Sequence, residues 1–362
     1  MSDDVRRHYE KYPYPRYPLL ASIRTADTYA LNLQALWGRF NGLLPARNAG
    51  RILLAGCGSF SPYPFSVANP DAEIVALDLS QPNLQRARLH CWLHGRFNVR
   101  FQAGDLLDPT VAPGQYALID AFGVIHHLAD PLAGLRALAD RLQPGGILRL
   151  MLYSRYARRE EESIRRGLRL LGVRDVAALK HLIRRSPPTS RLASYLEASP
   201  EAGFDAGLAD ALLHPQVHTY RVDDMLELLQ QSGLEPLVFA HCGALEEVAG
   251  EIVRLKELEL RRESPGNFLV YLRKPGGVCA PERRFLKLNP CLRSVVGVLR
   301  PGSVRIAGRF GSENPVLGWR ERRFLSGFCT PVAVDGCDAE IFEKVNVYKK
   351  ALFLIEYGTE SH

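Results

Sequence analysis

Two glycines, two acids and two histidines stand at the ends of short apolar runs, where they could hold a nucleoside and do chemistry beside it. Gly56, Cys57 and Gly58 close the run ILLAGCG, and glycines there let the backbone approach a ligand that side chains would collide with. Asp78 closes IVALDLS, with Leu79 next to it, about where a carboxylate accepts hydrogen bonds from both hydroxyls of a ribose. Asp105 in FQAGDLLD suits the exocyclic amine of an adenine, with Leu106 against the ring. A fourth run, YALIDAFGVIHHLADP, passes Phe122 and delivers His126 and His127, and a histidine near its reference pKa of ~6.5 can take a proton from a nucleophile. His90-Cys91-x-x-His94 has ligand-like spacing on a helix, but without a second cluster it reads as packing, and no metal is expected.

These residues need a frame that brings strand ends together. From Arg51 on, short apolar runs alternate with amphipathic ones, the rhythm of a parallel sheet covered by helices. Strands are expected at 51–55, 73–77, 99–102, 117–122, 146–152, 235–240 and 267–273. Helices are expected over Gln81–Leu93, capped by Ser80, and over Pro131–Leu142, capped by Asp130 with proline at the first helical position. Thr28–Leu44 reads as a further helix. A long, mostly helical insertion over 153–233, broken at SPPTS and HPQVHTY, follows the fifth strand at the carboxyl end of the sheet. Within HPQVHTYRVDD, His214 and His218 precede a helix whose expected cap is Asp223.

The fold class is therefore α/β, a Rossmann-like seven-stranded sheet with a helical insertion and a small C-terminal α+β appendage. The expected units are 1–50, an aromatic and proline-rich lid with a helix; 51–276, the sheet domain; and 277–362, an accessory unit for substrate recognition or homodimer formation.

The stretch Gly56–Ser61, GCGSFS, lacks the third glycine that seats a helix against a pyrophosphate, which disfavours a nicotinamide-dependent oxidoreductase. Taken together, GCG, VALDLS, AGDLLD, GVIHHLADP and LQPGG resemble the class I S-adenosylmethionine-dependent methyltransferases over roughly residues 50–150. Tyr9-Glu10-Lys11-Tyr12-Pro13-Tyr14-Pro15-Arg16 and LYSRYARRE further resemble a bacterial subgroup whose members often carry tetratricopeptide repeats, although no such repeat occurs here. The resemblance implies S-adenosyl-L-methionine as cofactor and a methyl acceptor that is a small molecule or a protein. Gly56, Cys57, Gly58, Asp78, Leu79, Asp105, Leu106 and Phe122 would hold the cofactor, with His126 and His127 as catalytic candidates.

The chain departs from that family where an acid usually stands two residues before the first glycine, here Leu54, and where a third glycine is common, here Phe60. The Ser59–Pro64 loop is expected to pack aromatics around the methionine tail rather than start a helix at once. Tyr12 to Pro18 is stiff and extended, because each proline fixes its own dihedral and restricts the residue before it. Such a segment suits an aromatic lid, with Tyr12, Tyr14, Arg16 and Tyr17 toward the substrate, joined by Tyr153 and His218.

The net charge of +7 comes from 46 Lys and Arg against 39 Asp and Glu, and residues 155–191 carry an excess of the same size, 11 basic against 4 acidic. A basic face can attract RNA, which makes an RNA methyltransferase one alternative, but a solvated helical surface is the more economical reading. A non-catalytic scaffold on the same fold is the other. Seven cysteines without a CxxC pair read as reduced thiols in a cytoplasm, and no apolar run approaches a membrane span.

Overall fold

The computed structural model describes residues 3–46, 50–276, 283–297, 302–334 and 339–359. Helix α1 (Asp3–Lys11) leads into the extended aromatic and proline-rich segment. A 3₁₀ turn over Thr25–Leu31 and helix α2 (Leu33–Asn41) then replace the single helix expected over 28–44. The break is Asn32, whose backbone stays extended while its side chain accepts the Ala35 N–H and caps α2. A side chain that competes for a backbone donor in this way starts a helix rather than continuing one.

The sheet follows as β1 (Ile52–Ala55), α3 (Pro62–Ala68), β2 (Ile74–Asp78), α4 (Gln81–Leu93), β3 (Val99–Ala103), β4 (Tyr116–Phe122), α5 (Pro131–Asp140) and β5 (Leu142–Leu152). The insertion supplies α6 (Arg159–Leu170), α7 (Val176–Arg185), α8 (Arg191–Ala198), α9 (Asp205–Leu208), a π turn over Ala209–Leu213 and α10 (Val222–Gln231). β6 (Glu235–Phe239), α11 (Val248–Leu260) and β7 (Phe268–Arg273) complete the sheet in the order β3-β2-β1-β4-β5-β7-β6, with β7 antiparallel to both neighbours. This is the expected Rossmann-like seven-stranded architecture. β1 and β2 are buried along their whole length, as strands covered on both faces must be, and so they read as unbroken apolar runs.

Ser80 and Asp130 cap α4 and α5 as their sequence positions predict, accepting the N–H groups of Asn83 and Ala133. Two expectations need correction. Helix α3 begins at Pro62, directly after the glycine loop, because prolines at its first and third positions replace N–H groups that have no intrahelical partner in any case. Helix α10 begins at Val222, so Asp223 lies inside its first turn, and Asp224 accepts the Arg221 N–H at 2.9 Å.

After the sheet come β8 (Arg283–Leu288), α12 (Arg293–Val296), α13 (Trp319–Ser326), β9 (Val332–Ala333), α14 (Ala339–Lys350) and β10 (Leu354–Thr359). The antiparallel sheet β10-β8-β9 packs its apolar residues Leu286, Leu354 and Ile355 into the same core as Leu36, Ile52 and Ile74. Buried Asn289 ties the Thr25–Leu31 turn to the segment before β10 by donating to the carbonyls of Tyr29 and Leu352. The opposite face of the large sheet packs on α5, α10 and α11 around Leu53, Ile119, Leu138 and Met225. The insertion has a small core of its own, with Leu168, Leu179, Tyr195 and Leu212.

Cys57, Cys91, Cys242, Cys291 and Cys329 are free thiols, whereas Cys279 and Cys337 lie outside the described residues. Among the described residues no helix is long and apolar enough to cross a membrane.

Candidate active site

Gly56 and Gly58 adopt φ of +63° and +58°, a region L side chains rarely enter. Space forbids a side chain as well. A Cβ on Gly56 would stand 2.3 Å from Val124 Cγ2, and one on Gly58 would stand 2.8 Å from the Tyr14 carbonyl oxygen. The glycine loop is thus pressed between the loop after β4 and the N-terminal segment, whose Tyr14–Pro15 peptide is cis.

That segment is fastened down. The Tyr14 N–H donates to Asn83 Oδ1 at 3.2 Å, the Ser59 N–H donates to the Tyr14 carbonyl at 3.3 Å, and the Ser59 hydroxyl donates to the Pro15 carbonyl. Tyr17 lies on Phe60 with ring centroids 4.3 Å apart. Further along, His90 Nε2 donates to the Ala21 carbonyl (3.0 Å) and His94 Nε2 to the Leu19 carbonyl (3.2 Å). The spacing that resembled a metal site places two donors one helical turn apart, and each holds a strap carbonyl.

Under the strap lies a cavity of about 470 Å³ that runs from the glycine loop to the insertion. At the first end Asp78 forms part of the wall. Its Oδ2 accepts the Gly58 N–H at 2.7 Å and its Oδ1 the Ser80 N–H at 2.8 Å. Burial pushes its carboxyl upward in pKa, and these two N–H groups oppose that shift. The Asn83 side chain also donates to this carboxylate. Leu79, Cys57, Tyr14 and Tyr17 complete this end, and Phe122, 44% exposed, lies beside it with Arg149 4.6 Å from its ring centroid.

The second end is built by α1, the turn after β4, β5 and the insertion. His127, Tyr153, Tyr9, Arg158, Asp210 and Asn267 meet there. His127 is 3% exposed, and its Nδ1–H donates to the Gln216 carbonyl at 2.8 Å, which leaves Nε2 with its lone pair. Burial lowers its pKa to about 3, so the ring is neutral at pH 7 and a weak base. Tyr9 donates its hydroxyl to Asp210 Oδ1 at 3.0 Å. Arg158 stacks over Tyr153 at 4.0 Å and pairs with Glu161 at 2.9 Å.

The adjacent histidines separate. His126 is fully buried and stacked on Tyr153, with centroids 3.6 Å apart and burial holding its pKa well below 6.5, and it does not line the cavity. The structure also keeps Asp105, Leu106, Tyr12, Arg16 and His218 out of the cavity lining. Asp105 accepts the Leu107 N–H within its own turn, and Leu106 is buried in the sheet core. The Tyr12 hydroxyl accepts from the Val176 N–H, Arg16 is exposed, and the His218 N–H donates to the His126 carbonyl.

Tyr9, Asn83, Arg158, Asp210 and Asn267 are cavity residues that sequence reading did not single out. Tyr9 belongs to the YExxPYPR-type opening, which was a usable signal; Asp210 sits in a stretch with no chemical pattern. A larger cavity, about 590 Å³, lies between α2 and β10, where the cations Arg39 and Lys350 pair with Glu246 across it. None of its lining residues lines the first cavity.

Residues 53–148 match the model of the methyltransferase domain family. The chain is 32% identical over 243 residues to the uncharacterized protein syc1184_c of Synechococcus sp., covering 64% of this chain and 58% of that one. It is 32% identical over 106 residues to a ubiquinone biosynthesis O-methyltransferase of Xanthomonas campestris pv. campestris, covering 29% of this chain and 44% of that enzyme. The chain thus spans about half the length of these relatives. In structure it is similar to PKMT2 from Rickettsia typhi in complex with AdoHcy, with a TM-score of 0.55, 14% identity, and coverage of 96% of this chain and 78% of that one. That likeness is one of fold. The stretch from β1 into β5, which carries the glycine cradle, is what matches the methyltransferase domain family.

Proposed function

We propose that this protein transfers the methyl group of S-adenosylmethionine to an oxygen or nitrogen of a small molecule or a protein side chain. The observation that carries the reading is a single cavity with two chemically different ends. One end has a carboxylate, Asp78, fixed by the N–H groups of Gly58 and Ser80, and the other has Tyr9, His127 and Asp210.

The donor set fits this cofactor better than a dinucleotide. The nearest helix, α3, carries prolines at its first and third positions and so lacks two of the N–H groups that would cradle a diphosphate. Two carboxylates, Asp78 and Asp210, face the cavity against one guanidinium, Arg158, a balance that favours a cationic occupant. The aromatic rings of Tyr14, Tyr17 and Phe60 suit a sulfonium through cation–π attraction.

Bound there, the cofactor supplies an electrophilic methyl group on sulfur. Displacement from sulfur proceeds in line, so the contribution of these residues is to hold a nucleophile at a fixed distance and angle and to exclude water. Asp78 and the glycine loop fix one partner. The strap lies over Gly58 and Ser59 at the first end, and Tyr153 with His127 walls the second.

Leu54, at the position of the family's usual acid, is fully buried in β1, where a carboxylate would lack a partner. The cradle is therefore rebuilt around the strap, and this supports a working site over a scaffold. RNA as acceptor is the weaker reading, because four of the eleven cations on 155–191 have acid or backbone partners within the chain. Arg155 pairs with Asp224, Arg158 with Glu161 and Lys180 with Asp205, and Arg165 binds the carbonyls of Asp210 and Ala211. The reading includes a cytoplasmic location, kinship with the YExxPYPR-type subgroup, and a homodimer through the C-terminal sheet.

Isothermal titration with S-adenosylmethionine and S-adenosylhomocysteine tests it directly. Wild type should bind both, and Asp78→Ala should bind neither; absence of binding by wild type would reject the proposal.

A further inference from the structure

The second end of the cavity contains a buried carboxylate that burial pushes upward in pKa, and Arg165 and Arg158 attract it without direct contact. Asp210 is 8% exposed, and among the described residues its carboxylate forms no salt bridge. Its side-chain partner is the Tyr9 hydroxyl. Arg165 binds the backbone carbonyl of Asp210 at 3.1 Å, and Arg158 is committed to Glu161 and Asn267. Buried carboxylates are ordinarily paired with a cation or neutralised.

Two imidazoles stand close behind it, for ligand atoms of His8, Asp210 and His214 lie within 4.8 Å of one another. That grouping has the composition of a metal site, but His214 Nδ1 accepts the Gln216 N–H at 3.1 Å. The neutral ring must then carry its proton on Nε2, which makes that nitrogen a donor rather than a metal ligand. Burial lowers the pKa of His8 to about 4 and holds that of His214 well below 6.5, so neither ring is charged at pH 7.

We propose that the methyl acceptor enters as an alkylammonium group, whose charge Asp210 balances and whose proton it removes. The inference rests on the methyl-transfer reading above. The rings of Tyr9, Tyr153 and His127 line the same end, and aromatic faces around a carboxylate favour a cation over a neutral alcohol or a carboxylate. One N–H proton passes from the ammonium to a free oxygen of Asp210, which exposes the nitrogen lone pair. The N–C bond then forms as the C–S bond breaks, with that electron pair remaining on sulfur. The product is a secondary ammonium, a neutral thioether and a protonated Asp210, so atoms and charge balance. Tyr9 is a positioning residue, since its hydroxyl fixes one of the two carboxylate oxygens.

The test uses the full chain saturated with S-adenosylhomocysteine. Binding of n-butylammonium and of 1-butanol, a neutral probe of the same size, is followed by saturation-transfer NMR titration. Wild type should bind the ammonium about tenfold or more tightly than the alcohol. Asp210→Asn should level the two while its affinity for S-adenosylhomocysteine stays within about twofold of wild type. Equal binding of both probes by wild type, or no ammonium signal, overturns the inference without recourse to a variant. A large loss of S-adenosylhomocysteine affinity in Asp210→Asn also overturns it, since the carboxylate would then be holding the cofactor's own ammonium. Failure of wild type to bind S-adenosylhomocysteine at all is a failure of the methyltransferase reading instead.

Discussion

Gly58→Ala is the sharpest test of how the strap and the cradle depend on each other. At φ +58° an alanine pays the left-handed penalty of about 1–2 kcal/mol. Its Cβ would also stand 2.8 Å from the Tyr14 carbonyl oxygen and 3.2 Å from Pro15 Cδ, so the strap must lift. Lifting threatens two hydrogen bonds, from the Ser59 N–H to the Tyr14 carbonyl and from the Ser59 hydroxyl to the Pro15 carbonyl, each contributing roughly 0.5–1.5 kcal/mol. The total is on the order of 2–5 kcal/mol. Gly172→Ala is the internal control. Its φ is +69°, but nothing lies within 4 Å of an added Cβ, so it should lose only the left-handed penalty of about 1–2 kcal/mol. Urea denaturation of both variants, with S-adenosylhomocysteine titration of each, separates the effects. Gly58→Ala should be the less stable and should lose ligand affinity, whereas Gly172→Ala should bind like wild type. Equal destabilisation of the two, or full affinity in Gly58→Ala, would refute the idea that the strap is seated on the glycine loop.

Asp78→Ala should bind S-adenosylhomocysteine at least about 100-fold more weakly, because it removes a charged acceptor for the ribose and frees the Gly58 and Ser80 N–H groups together; calorimetry reads the change. His90→Ala combined with His94→Ala should release the Leu19 and Ala21 carbonyls and speed protease cleavage within residues 12–21 while the thermal midpoint falls only modestly. Burial opposes ionisation of Glu251, but hydrogen bonds from His241, Arg254 and the Leu245 N–H outweigh it and hold its carboxyl down at about 2, below the ordinary 4.5. With its folded pKa depressed, Glu251 contributes stability that is complete above about 4.5 and disappears as the pH falls through about 2. The urea midpoint of wild type should drop across that window, and Glu251→Gln should flatten the drop; an unchanged slope would show that the pair adds nothing.

The strands were legible because each is local. A run such as Ile52–Ala55 buried on both faces must be apolar throughout, and a cap such as Ser80 or Asp130 acts on a donor three residues away. Where local rules conflicted, the reading failed. Pro62 and Pro64 fall in a stretch expected to delay the helix, yet they occupy first-turn positions that require no N–H, and Asn32 breaks an otherwise continuous helical pattern through its own side chain. The cradle was legible for the same reason as the strands, since Gly56, Gly58 and Asp78 act where two adjacent strands end.

The second end of the cavity was decided elsewhere. His126 and His127 are equivalent by sequence, and only the 3₁₀ turn over Ile125–His127 sends one into the core and the other to the cavity. Tyr9 and Asp210 are 201 residues apart and meet because α1 and the insertion pack over the same strand ends. By itself the sequence determined the sheet, its caps and the carboxylate beside the glycine loop, which follow from periodicity and short-range hydrogen bonding. Tertiary structure alone decided which side chains line the second end, because a carboxylate's burial and its neighbours depend on what distant segments bring to it.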